Sequence, residues 1–390
     1  MAYTDIDDPS AHFQTTLYSG NGGNGHVITH TGNSDLQADM VWIKMRSAAY
    51  PPVVYDTSRR PSGTPFSGSL YVFSIGNNYA TAAENTGAYG PTAIGSNSVT
   101  MNSYDTINKN SQTFVSWNWK ANGGTTTSVS ASGSGNLCIN ASAHQVNTDA
   151  GFSIITYTGR DDELSSEGLE TKLTHGLGVT PHMAIIKKRD GTSPWYVIGQ
   201  SFSVTEHYWE WSYSEYMLLN TTAPNYPFSY TGNRQPDSTH IYLGGQVVND
   251  AGDDYVAYVF AEKQGFSRFF RYIGNGQAEG PFVHTGFKPA FVMIKLRADY
   301  QGASEPWVMY DNKRSPFNRA NKKLSSDSAA AENSYSAVGG AGYNDIDMLS
   351  NGFKLRTNNA VTNSSGKVYS YMAFAENPFV TSTGTPTTAR

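Results

Sequence analysis

The sequence predicts an all-β protein built as three tandem β-sandwich units, jelly-roll-like, of about 110 residues each. Three observations predict it. The composition favours short strands and tight turns, no segment carries a sustained helical period, and one set of motifs occurs three times along the chain.

The chain has 390 residues, with 38 Gly, 25 Tyr, 13% aromatic and only 15% charged residues. Aromatic and β-branched side chains suit a pleated sheet, and Gly and Asn supply the positive φ of turns. No apolar run reaches the length of a membrane helix, so no membrane insertion is expected. The opening "MAYTDIDDPSAHF" is polar and acidic, without a basic region or an apolar stretch, and predicts a protein made without Sec export. Cys138 is the sole cysteine, which excludes an intrachain disulfide and a cysteine-based zinc site. A net charge of −5 argues against a nucleic-acid surface, which needs clustered positive charge.

Each unit opens on an aromatic strand whose Tyr stands two residues before a Gly: Tyr18/Gly20, Tyr157/Gly159 and Tyr272/Gly274. A His-Gly turn follows, then a hydrophobic strand ending in Lys: "HTGNSDLQADMVWIK", "HGLGVTPHMAIIK" and "HTGFKPAFVMIK". A second apolar strand comes next ("PVVYDTSRR", "PWYVIGQ", "PWVMYDNKR"). Each unit closes on a hairpin-like stretch: "INKNSQTFVSWNWK", "VNDAGDDYVAYVFAEK" and "VTNSSGKVYSYMAFAEN". The spacing inside that closing stretch is the same in all three, as a hairpin of fixed register requires. Boundaries follow: 1–120 for the first unit, 121–150 for a Gly/Ser/Thr-rich linker with a possible strand pair around Leu137–Ile139, 151–263 for the second, 264–379 for the third, and 380–390 for a polar tail. The best helix candidate is "SDSAAAENS" at 326–334, one or two turns long.

Several stretches carry a resemblance: "IDDPSAHFQTTLYSGNG", "GNSDLQADMVWIK", "THGLGVTPHMAIIK", "DYVAYVFAEKQGFSRFFRYIGNG", "GPFVHTGFKPAFVMIK" and "LSNGFKLRTNN…YMAFAENPFVTSTGTPTTAR". By these the chain resembles virion structural proteins of marine tailed bacteriophages (cyanophage-like), often labelled tail fibre. The resemblance implies a non-enzymatic virion component, assembled in the bacterial cytoplasm and displayed on the particle exterior. Its implied partners are other tail or capsid proteins and a host surface glycan. A homo-oligomer is expected, a trimer by analogy with phage fibres. The resemblance implies no cofactor and brings no catalytic residue with it. Three classes compete: a receptor-binding tail protein, a capsid decoration protein, and a polysaccharide depolymerase.

Each candidate residue also has a structural role open to it. His30, His175 and His284 recur without a neighbouring nucleophile or carboxylate, so they read as strand-end residues bonded to backbone. They lack metal-ligand spacing as well. Lys44, Lys187 and Lys295 read as solvated strand ends. The acidic stretches at 5–8, 160–163 and 249–254 read as turns, with calcium as the alternative. Glu206, Glu210 and Glu215 are the only hydrolase candidates. The middle unit carries an aromatic cluster, Tyr208, Trp209, Trp211, Tyr213 and Tyr216, that its neighbours lack, and this is the candidate interaction surface. A basic loop, Lys313, Arg314, Arg319, Lys322 and Lys323, has Arg59 and Arg60 at the matching place in the first unit. It reads as a solvated loop, or as a contact for an acidic partner.

Overall fold

The structure is a computed structural model that describes residues 3–59, 73–75, 83–85, 89–133, 138–160, 170–199, 215–223, 226–227, 235–244, 246–297, 304–332 and 345–387. The first segment holds β1 (Phe13–Ser19), β2 (His26–Thr29), β3 (Met40–Met45), β4 (Val53–Asp56), β5 (Phe73–Ser74), β6 (Ala93–Gly95), β7 (Ser98–Met101), α1 (Asp105–Asn108) and β8 (Thr113–Trp119). The middle segment holds β9 (Thr127–Val129), β10 (Ser142–Asn147), β11 (Phe152–Thr158), β12 (Glu170–Thr174), β13 (Met183–Lys188), β14 (Trp195–Gly199), β15 (Glu215–Leu218), β16 (Tyr226–Pro227), β17 (His240–Gly244), α2 (Gln246–Asn249) and β18 (Asp254–Phe260). The third holds β19 (Ser267–Ile273), β20 (Phe282–His284), β21 (Phe287–Arg297), β22 (Val308–Asp311), β23 (Leu324–Ser325), β24 (Ile346–Leu349), β25 (Gly352–Leu355), α3 (Ala360–Asn363) and β26 (Val368–Pro378).

The fold is all-β. Its large sheets run β1-β8-β3-β4-β5, β16-β15-β14-β13-β18-β11-β10-β9 and β19-β26-β21-β22-β23. Small sheets β2-β7-β6, β12-β17 and β20-β25-β24 accompany them. In each segment the strand bearing the Tyr pairs with the closing strand, which also pairs with the Lys-ended strand: β8 lies between β1 and β3, β18 between β11 and β13, and β26 between β19 and β21. One layer out, β2 pairs with β7, β12 with β17 and β20 with β25. Chain ends folded back on one another in this way make a two-layer roll.

The recurring Tyr-x-Gly has a physical cause. The Tyr18 hydroxyl donates to the Ile107 carbonyl, Tyr157 to Val248 and Tyr272 to Thr362, at 2.7, 2.6 and 2.7 Å. Each acceptor lies in a single helical turn just before the closing strand, and the ring stacks on an aromatic of that strand (Tyr18 on Phe114, Tyr157 on Tyr255, Tyr272 on Tyr369). The chain then crosses that turn closely. A Cβ on Gly20, Gly159 or Gly274 would stand 2.2, 2.1 or 2.3 Å from the carbonyl oxygen of Lys109, Asp250 or Ser364. Below the crossing sits a buried Asn. Asn363 donates from Nδ2 to Asn275, Gln277 and Thr357, and Asn108 does the same to Asn21, Gly23 and Asn102.

Both faces of the large sheets are covered. One cluster, with Val41, Ile43, Tyr55, Ile94 and Val99, fills the space between large and small sheets of the first segment. Ile155, Ile186, Leu173 and Ile241 do so in the middle one. The opposite faces of all three large sheets converge on a shared core. At its centre Phe374 lies 5.0 Å from Phe13 of the first segment and 6.0 Å from Phe260 of the middle one. Burial of so much aromatic surface is the main force joining the three sheets. The sharing shows in the sequence as lost alternation: strands covered on both faces lack it, and "MVWIKM" is buried at every position.

Within 121–150, β9 and β10 extend the middle sheet along the edge of β11, and Ile139, at the possible strand pair, makes isolated bridges to Ser132 and Lys172. One expectation is corrected: the described part of 326–334 carries no helix. The one-turn helices stand at α1, α2 and α3, where an Asn closes the turn.

Candidate functional site

The ionisable groups that recur along the sequence meet at the seams between sheets. Arg59 and Asp56, both fully buried, pair at 2.5 Å, and Arg59 also reaches Glu84 at 2.8 Å. Arg314 repeats this with Asp311 at 2.5 Å and Glu332 at 3.3 Å. Each node is closed by a neighbouring segment. The Tyr258 hydroxyl donates to Asp56 at 2.6 Å, and the Trp117 indole donates to Asp311 at 3.1 Å. Glu84 also takes Arg189, and Glu332 takes Arg46. Register puts Gly199 where Asp56 and Asp311 stand, and Met372 where Trp117 and Tyr258 stand. Both halves of the node are therefore absent from the remaining seam together.

The three lysines are not solvated strand ends. Lys44, Lys187 and Lys295 are each fully buried and donate to backbone carbonyls. Lys44 reaches Tyr50 and, in the third segment, Ala329 at 2.8 Å; Lys295 reaches Thr222 of the middle segment at 2.8 Å; Lys187 reaches Ser193 at 2.7 Å. Burial pulls the Lys44 and Lys187 ammonium groups down to about 7. It also lowers Lys295, whose charge Asp327 and Glu305 partly support, while burial raises Asp327.

The histidines divide. His30 and His175 are buried, and burial lowers both to about 4. His175 lies within 3.1 Å of the Asp237 carbonyl and accepts from the Leu177 amide, as a backbone-bonded turn residue should. His30 instead meets the Thr16 hydroxyl at 2.9 Å, and His284 is exposed.

The basic loop also divides. Arg314 is buried in its ion pairs over the Trp117 ring, and Lys323 is buried, so neither belongs to a solvated surface. Lys313 and Arg319 are exposed and Lys322 is half-buried. Of the aromatic cluster, Tyr208, Trp209, Trp211 and Tyr213 lie outside the described residues, as do Arg60, Glu206 and Glu210. Tyr216 is half-buried on β15, edge-on to Tyr196 at 5.1 Å. Several acidic groups of those stretches have partners. Asp7 accepts from Ser382, Asp8 caps the Pro9–Ala11 turn, and Asp253 pairs with Lys188. Among the described residues no three metal-binding side chains converge.

Among the described residues, a polar cleft is open to a ligand. It has a volume of about 150 Å³ and lies between β1 of the first segment and β21 and β26 of the third. The His-Thr-Gly turn forms one wall through Thr31, Gly32 and Asn33; Asn312, Lys313, Glu376 and Asn377 form the other. A Cβ on Gly32 would lie 2.5 Å from the Gln14 side chain. Gln14 is itself fixed, donating to Ser10 and Ser34 and accepting from Gly32. The glycines of the other two turns meet different neighbours: Gly176 packs on Val146 and His144 of β10, and Gly286 on the Tyr3 hydroxyl. Thr15, Gln14, Glu376 and Asn377 carried no sequence signal, since the walls come from opposite ends of the chain.

The profile of a family described as "Domain of unknown function (DUF7483)" matches residues 8–378. No curated protein and no solved structure matches the chain.

Proposed function

This chain belongs to the DUF7483 family, and we propose that it is a non-enzymatic structural protein of a bacteriophage particle, displayed on the exterior and contacting the host surface in the manner of a tail fibre. One observation carries the reading beyond the sequence resemblance. The described buried cations Arg59, Arg314, Lys44 and Lys295 are used in bonds across or beside the seams, within one aromatic core. Such a core suits a rigid scaffold that presents loops. Weak contacts per copy would then add up through the number of copies on the particle. Its partners in this reading are other virion proteins and a host glycan, with homo-oligomerisation, a trimer by analogy, as the means of multiplying copies.

The test is adsorption. Purified chain, added to host cells before the phage, should slow phage attachment in proportion to its concentration. Unchanged attachment with the host surface saturated by the chain would contradict host contact. A capsid decoration protein would give that result while still co-purifying with particles.

A further inference from the structure

We propose that the cleft between β1, β21 and β26 binds a single acidic sugar residue, of the uronic acid class. The inference deepens the glycan-contact reading above and rests on it for its biological setting, though the binding chemistry is independent of it.

Four observations support it. First, the lining is polar and mixed: hydroxyls from Ser10, Thr15 and Thr31, amides from Asn33 and Asn377, and the charges of Lys313 and Glu376. A polyhydroxylated ring matches alternating donors and acceptors of this kind. Second, Thr15 lines the cleft, and its buried hydroxyl has no hydrogen-bond partner among the described residues. A buried hydroxyl left unpaired is costly, and a ligand oxygen would satisfy it. Third, the wall carries one ammonium and one carboxylate: Glu376 is held by Lys288 at 3.6 Å, while the exposed Lys313 has no ion-pair partner among the described residues. Lys313 therefore offers an anion its contact. Fourth, its volume of about 150 Å³ falls below the roughly 300–1,000 Å³ of pockets for drug-sized ligands, so one ring fits and an oligosaccharide must continue into solvent. In the bound state the carboxylate faces Lys313 and a ring hydroxyl reaches Thr15.

The test is titration of the full chain with D-glucuronate and D-glucose, read by calorimetry or ligand-observed NMR. Glucuronate should saturate with a dissociation constant of about 1 mM, the range of a small ligand with few contacts. Glucose should bind about tenfold more weakly, as loss of one charge-assisted contact predicts. Lys313→Gln should weaken glucuronate about tenfold and abolish its advantage over glucose, while Lys322→Gln, outside the cleft, changes nothing. Thr15→Val should weaken both sugars. Because Lys313 is exposed, its variant folds whatever becomes of the Thr15 variant. Absence of saturable glucuronate binding, or binding that Lys313→Gln leaves unchanged, would overturn the proposal. Blocked phage adsorption without glucuronate binding would sink the cleft and leave the surface reading standing. Glucuronate binding without any effect on adsorption would do the reverse.

Discussion

The Tyr258 hydroxyl donates to the Asp56 carboxylate across 2.6 Å, joining the middle large sheet to the first. Asp56 is fully buried and shared with Arg59, so the three groups form one desolvated unit. Tyr258→Phe removes a hydrogen bond to a charged acceptor and should cost about 1.5–3 kcal/mol. Arg59→Met strands the buried carboxylate and should cost about 3–5 kcal/mol. Denaturant titrations read both. Because the core is shared, the loss should appear in a single transition, reported alike by tryptophan fluorescence and far-UV dichroism.

The tyrosine-glycine crossing predicts a sharp contrast between glycines. Gly159→Ala places a Cβ 2.1 Å from the Asp250 carbonyl oxygen. The backbone must shift, so destabilisation of about 3 kcal/mol or more is expected. Gly252, at φ +81° with open space around it, should cost only about 1 kcal/mol on the same change. Melting temperatures of the two variants compare them directly.

The buried lysines set the alkaline side of the stability profile. Lys44 sits at about 7 in the folded chain against 10.5 unfolded, and Lys187 likewise. Between those values the unfolded chain holds more protons, so stability rises with pH from about 7 towards 10.5. Above 10 the buried tyrosines reverse the trend. Tyr18, Tyr157 and Tyr272 have folded values raised by burial, so they lose stability once the unfolded phenols ionise. Thermal melts at stepped pH should show a maximum between these limits. Lys44→Met should flatten the rise, while leaving the carbonyls of Tyr50 and Ala329 without their donor.

The buried histidines set the acid side. His30 and His175 are lowered from 6.5 to about 4 in the folded chain. As pH falls through that interval the unfolded chain takes up their protons first, and stability drops. His175→Gln should make the decline shallower, as read by the denaturation midpoint at pH values from 7 to 4.

Much of the fold was legible because its devices recur. Tyr18, Gly20 and Asn108 act through spacing that recurs along the chain, and the strands they organise carry aromatic and β-branched residues. The errors share one cause. Lys44, Lys187, Arg314 and Lys323 read as solvated because charge at a strand end or in a loop is normally exposed. Here a second layer or a neighbouring segment covers them, and the covering residues lie far off in the chain, as Ala329 does for Lys44. The cleft was invisible for the same reason: Thr15 and Glu376 become neighbours only through the folded seam.

The central claim, that this chain is an external component of a phage particle, is tested most directly by locating it there. A reconstruction of purified virions, with composition checked by mass spectrometry, should show three-sheet densities of this shape on the outer surface of the tail or capsid. Absence of the chain from infectious particles made in cells that express it would contradict the account.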